Sequence, residues 1–107
     1  MVEVPLISYP SRFFQIILDE QDCSIKLYQK GRFLYLDLDV NANPVTAGAI
    51  CLNKTSIILH SQRLFTGHLF FIDTIGNSHP QWDGLGSRWV LLFVNKNEQL
   101  PSFVGTY

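Results

Sequence analysis

The sequence predicts an all-β fold: a small antiparallel β-barrel or two-sheet sandwich of six to seven strands. Three observations predict it. Apolar residues alternate with polar ones in several stretches, clearest over 33–40. Turn-forming residues punctuate the chain every ten to fifteen residues. No stretch repeats apolar residues at helical spacing for the length a helix needs.

Residues 1–11 contain Pro5 and Pro10 and read as an extended N-terminal arm on a single domain spanning 1–107. The arm is expected to be dispensable, so that removing residues 1–9 leaves the fold intact. The first strand is expected from Phe13 to Asp19, with a turn at Glu20–Asp22. The next runs from Cys23 to Gln29, with Cys23, Ile25 and Leu27 on one face and Ser24, Lys26 and Tyr28 on the other. Lys30-Gly31-Arg32 suits a hairpin connection. Phe33 to Val40 follows, with Leu34, Leu36, Leu38 and Val40 on one face and Phe33, Tyr35, Asp37 and Asp39 on the other. Asn41 to Pro44 is a turn, and Val45 to Leu52 a strand whose Ala47, Gly48 and Ala49 allow close approach of another backbone. Asn53 to Phe65 is ambiguous, because Ile57-Ile58-Leu59 suits either a short strand or one helical turn. Thr66-Gly67 turns the chain into a strand over His68–Ile75. Gly76 to Ser87 is a long loop of the kind that carries function. Trp89 to Asn95 is the last strand, and the tail to Tyr107 gives no clear signal.

Charged residues make up only 16% of the chain and hydrophobic ones 47%. A typical domain carries roughly 25% charge, so part of this surface is expected to be covered by a partner. The net charge is −1, with lysines and arginines scattered singly, and no basic stripe to neutralise phosphates is visible. Neither a basic amphipathic helix nor an apolar run of bilayer length stands out, so no membrane partner is expected. The N-terminal residues lack the basic start and apolar stretch of a secretory signal. Cys23 and Cys51 lie in apolar alternating runs and read as buried free thiols in a reducing compartment rather than a disulfide.

Catalytic patterns are weak. Asp37 and Asp39, about 7 Å apart along one strand face, have a spacing open to acid–base chemistry. Their neighbours Phe33 and Tyr35 favour a solvated face instead. His60, His68 and His79 lack metal-ligand spacing, and no serine or cysteine has the context of a nucleophile. No enzyme activity, metal or cofactor is expected. Asp83-Gly84-Leu85-Gly86-Ser87 resembles a fragment of a phosphate loop, but a tight turn explains its glycines better, and Arg88 is placed to pair with Asp83 or Asp73. Of the aromatic residues, Phe13, Phe71, Trp89 and Phe93 are expected in the core, while Tyr28, Tyr35 and Trp82 are candidate partner anchors. Aromatics also suit base stacking, so a single-stranded nucleic-acid-binding barrel is the alternative reading, opposed by the near-neutral charge.

Three stretches resemble one family. They are Val4-Pro5-Leu6 followed by Phe13 to Asp19; Ile25 to Tyr28 followed by Phe33 to Leu38; and Leu69 to Asp73 followed by Asp83-Gly84-Leu85-Gly86-Ser87-Arg88-Trp89-Val90-Leu91. Together they resemble the baseplate plug proteins of contractile-tailed phages, including cyanophages, and the run Asp83–Trp89 is the most specific part. The resemblance implies a structural virion protein, assembled in the host cytoplasm, that plugs or caps the central hub of the tail baseplate. Its implied partners are the hub and tail-tube proteins and further copies of itself, a trimer or hexamer around the tail axis. It implies no catalytic residue. The expected contact residues are Ile7 and Tyr9 on the arm and His79, Trp82 and Leu85 on the loop.

Overall fold

A computed structural model describes residues 1–57 and 65–104. Seven strands form two antiparallel sheets: β1 (Val2–Val4), β2 (Ser11–Leu18), β3 (Gln21–Lys30), β4 (Phe33–Val40), β5 (Asn43–Cys51), β6 (His68–Asp73) and β7 (Trp89–Val94). One sheet has the order β2-β3-β4-β5 and the other β1-β7-β6. The sheets do not close on each other, so the architecture is the sandwich rather than the barrel. The described residues contain no α-helix, only a short 3-10 turn at Trp82–Gly84.

The four-stranded sheet is a meander of tight hairpins. Asp19 and Glu20 join β2 to β3, and Asn41 and Ala42 join β4 to β5, all four with positive φ (50° to 67°). Such paired left-handed residues match the right-handed twist of the flanking strands. Gly31, at φ 64°, opens the β3–β4 turn. The alternation in β4 is complete: Leu34, Leu36, Leu38 and Val40 are buried, and the residues between them are half-buried. On β5, Ala47 and Gly48 together face Asp37, because Leu36 pairs with Ala49 and Leu38 with Thr46. Gly48 takes φ 66° there, so this glycine makes the bulge that the run of small residues hinted at.

One apolar cluster draws on both sheets, from Ile25, Leu27, Leu34 and Leu36 on one side to Leu69, Phe71, Leu91 and Phe93 on the other. A second, smaller cluster lies on the far face of the three-stranded sheet. There Phe70 and Val94 pack with Val104 of the tail, joined by Ile72, Leu92 and Leu100. The tail thus has a structural task that its sequence did not announce.

Three expectations need correction. The N-terminal arm is in part a strand: Val2, Glu3 and Val4 pair with Phe93, Leu92 and Leu91 of β7. Val4 is buried and Leu6 packs on the core, because alternation directs positions 4 and 6 inward, so this part of the arm belongs to the core. Phe13, expected in the core, is 64% exposed. Its neighbours Phe14 and Ile16 take the inward positions of β2, and a strand cannot bury both parities on one face. Leu85, expected at the surface, is buried. The chain leaves the 3-10 turn with the Leu85 N–H donating to the Trp82 carbonyl (3.3 Å) and directs this side chain into the core. Of the ambiguous segment, Asn53 bridges Phe71 in parallel, while Ile58, Leu59 and His60 lie outside the described residues.

Candidate protein-interaction surface

The loop after β6 is held from within by one ion pair. Arg88 meets the fully buried Asp73 carboxylate side-on, through Nε to Oδ1 (2.9 Å) and Nη2 to Oδ2 (2.8 Å). The N–H groups of Ile75 (3.1 Å) and Ser78 (2.9 Å) donate to the same two oxygens. The hydrogen bonds from Arg88, then those backbone groups, hold the Asp73 carboxyl well below the usual carboxylate range against the opposing effect of burial. Trp89 anchors the other half: Nε1 donates to the Ser78 carbonyl (3.0 Å), and the Arg88 guanidinium stacks 4.4 Å from its ring. A Cβ at Gly84 would sit 2.3 Å from that ring. A Cβ at Gly86, where φ is 82°, would sit 2.4 Å from the Leu6 carbonyl oxygen. The run Asp83–Trp89 is therefore scaffold: its glycines admit the indole and the N-terminal segment, not a phosphate.

The same contacts join arm and loop. Ser8 Oγ donates to the Leu85 carbonyl (3.0 Å), and the Pro10 carbonyl accepts from the Gln29 N–H (2.9 Å). With positions 4 and 6 turned inward, Ile7 (53% exposed) and Tyr9 (54%) point outward. Trp82 is exposed on the 3-10 turn, whose backbone N–H donates to Gln29 Oε1 (3.1 Å). His79 is exposed, accepts from the Asn53 N–H at Nδ1 (3.0 Å) and tilts against Phe33. Four of the five expected contact residues are thus at the surface, on a framework that ties the arm to the loop.

A second surface was only half legible in the sequence. The outer face of the four-stranded sheet carries Phe13, Ile17, Tyr28, Tyr35, Asp37, Asp39 and Lys26, and no described segment covers it. Tyr28 and Tyr35, cross-strand partners, stack with centroids 5.9 Å apart. The Lys26 ammonium lies 5.5 Å from the Tyr28 ring. Asp37 Oδ1 accepts from the Tyr28 hydroxyl (3.1 Å) and the Gly48 N–H (2.6 Å), which ties the bulge to the tyrosine ladder. Burial, then the hydrogen bond to Asp37, raises the Tyr28 phenol above its ordinary value, so it stays neutral. Two shallow depressions open here, one of about 450 Å³ beside Tyr28, Tyr35 and Gly48, the other of about 210 Å³ lined by Phe13, Lys26, Asp37 and Asp39. Sequence reasoning missed Phe13 and Ile17. The inward parity of Phe14, Ile16 and Leu18 was the signal that places them outside.

The remaining candidates do not converge on one site among the described residues. Asp37 and Asp39 stay on the half-buried outer face, Asp37 engaged as above. His68 Nδ1 lies 2.9 Å from Ser56 Oγ. Among the described residues no three His, Cys, Asp or Glu groups gather as a metal site. Cys23 and Cys51 are buried free thiols; burial pushes Cys23 up to about 11 and Cys51 higher, which leaves both as unreactive thiols.

The family described as cyanophage baseplate Pam3 plug gp18 matches residues 1–96. The chain belongs to this baseplate plug family. Membership gives it a structural role in the virion tail baseplate, in association with other baseplate components. No curated protein matches the chain.

Proposed function

We propose that the chain fills or caps the central hub of the baseplate and contacts the tail tube, as several copies arranged around the tail axis. The bare outer face of the four-stranded sheet carries this reading. It sets Phe13 and Ile17 in the open beside the half-buried tyrosine ladder, with Lys26, Asp37 and Asp39 around them, so apolar anchors and polar groups lie together as at a protein interface. Aromatic rings with polar tips bury apolar area and still satisfy hydrogen bonds, which suits a subunit that docks against more than one neighbour. Ile7, Tyr9, His79 and Trp82 form a second contact region; Leu85, being core, leaves that set. A ring of copies, a trimer or hexamer, follows from cyclic symmetry about the tail axis, with assembly in the host cytoplasm and no catalytic step.

The test is the mass of the purified chain, alone and mixed with the hub and tail-tube proteins of the same phage. A complex of defined stoichiometry is expected. A chain that ignores both proteins and instead binds single-stranded DNA in a salt-dependent manner would replace this reading with the nucleic-acid one.

A further inference from the structure

The four-stranded sheet has two edges, and they are built differently. The β5 edge carries Pro44 and two register irregularities, one of them the Gly48 bulge, all of which obstruct a further strand. The β2 edge runs eight residues in unbroken register with β3, without proline, lysine or bulge. The two-residue turn at Asp19 and Glu20 makes Leu18 and Gln21 a hydrogen-bonded pair. The Gln29 N–H donates to the Pro10 carbonyl at the other end of the ladder. Both facts direct the backbone groups of even-numbered residues toward β3. Those of Ser11, Phe13, Gln15 and Ile17 therefore point to the open side, and these four are the exposed residues of the strand. Among the described residues β2 pairs with β3 alone.

A second observation lies on the same strand. Arg12 Nη1 is buried and has no hydrogen-bond partner, and its guanidinium has the Phe14 ring for a neighbour at 5.2 Å. A cation left so beside an open strand edge matches an acidic side chain arriving with an added strand.

We infer that β2 is a site of strand addition. An extended segment of another baseplate protein, apolar opposite Phe13 and Ile17 and acidic opposite Arg12, joins the sheet as its fifth strand. The identity of the partner rests on the plug reading above. A second copy of β2 fits less well. The antiparallel register that sets Phe13 against Ile17 of the copy places Leu18 of the copy opposite Arg12. The register that brings Glu20 of the copy opposite Arg12 sets Phe13 against Asp19. Neither satisfies the apolar and the charged positions together. An isologous pairing would also close on a pair rather than build a ring.

Residue-resolved hydrogen exchange tests this, on the chain alone and in complex with the hub or tail-tube protein. In the free chain the amides of Phe13, Gln15 and Ile17 exchange fast while those of Phe14, Ile16 and Leu18 are protected. In the complex the odd-numbered amides slow by about tenfold or more. Gln15→Pro, which removes one outward N–H at a position where an edge strand tolerates proline, and Arg12→Met each weaken the complex about tenfold. A complex that forms while the odd amides exchange as before overturns the inference and leaves the plug reading standing. No complex with either protein overturns both. Concentration-dependent protection of the odd amides in the chain alone assigns the edge to a second copy and overturns the assignment to another protein.

Discussion

The two sheets share one core but treat their outer faces in opposite ways. The three-stranded sheet is covered on both sides, by the core within and by Leu100 and Val104 of the tail without. Among the described residues the four-stranded sheet is covered on one side only. Their sequences record the difference. Leu69, Phe70, Phe71, Leu91, Phe93 and Val94 make near-continuous buried runs in β6 and β7, whereas β4 alternates at every step. A strand apolar at both parities has two faces to bury, and one that alternates has one. Under the proposed function, the tail covers one sheet and the partner covers the other.

Several measurements break or sharpen this contrast. The largest effect is expected where loop and core meet. Trp89→Ala removes the indole that Gly84 is shaped around and should cost about 3–5 kcal/mol in denaturant unfolding. Arg88→Ala leaves the buried Asp73 carboxylate without its cation and should lower the Tm at pH 7. Because the Asp73 carboxyl is depressed, the pair stabilises fully above the ordinary carboxylate value of roughly 4 and loses its effect as pH falls through the lower, folded-state value. The gap in Tm between wild type and variant should therefore narrow below about pH 4. Gly86→Ala forces a side chain into a left-handed conformation against the Leu6 carbonyl; the conformation alone should cost about 1–3 kcal/mol. Val104→Ala strips methyl groups from the tail's cover and should cost about 1–2 kcal/mol. The smallest effect on stability belongs to the bare face. Phe13→Ser and Ile17→Ser should each stay within about 0.5 kcal/mol of wild type, yet weaken binding to the baseplate partners.

Much of the fold was legible because each hairpin is local. Alternation over 33–40 and turn residues at Gly31 and Asn41 fix β3, β4 and β5 without knowledge of distant contacts. The misplaced residues are those whose position depends on a distant partner. Val4 gains strand character only from β7, and Leu85 is drawn inward only by the core beneath the loop; Val104, on a tail that gives no clear signal, is placed only by Phe70. Phe13 is the exception, since the parity of its own strand decides it. The aromatic run Phe13-Phe14 drew attention to hydrophobicity, while period two allows one of the pair inside. At the candidate site, arm and loop were recognisable as separate segments. Their union through Ser8, Leu6 and Gly86 was not, because a hydroxyl-to-carbonyl contact across 77 residues leaves no periodic trace.

The most direct test of the account is side-chain footprinting with hydroxyl radicals, on the chain alone and with the hub and tail-tube proteins. The account expects Phe13, Ile17, Tyr28 and Tyr35 to become protected on mixing while Phe103, exposed on the tail beside Phe70, reacts as before. Protection of Phe103 with the four-stranded sheet unchanged would contradict it, and would show that the partner docks on the face the chain already covers itself.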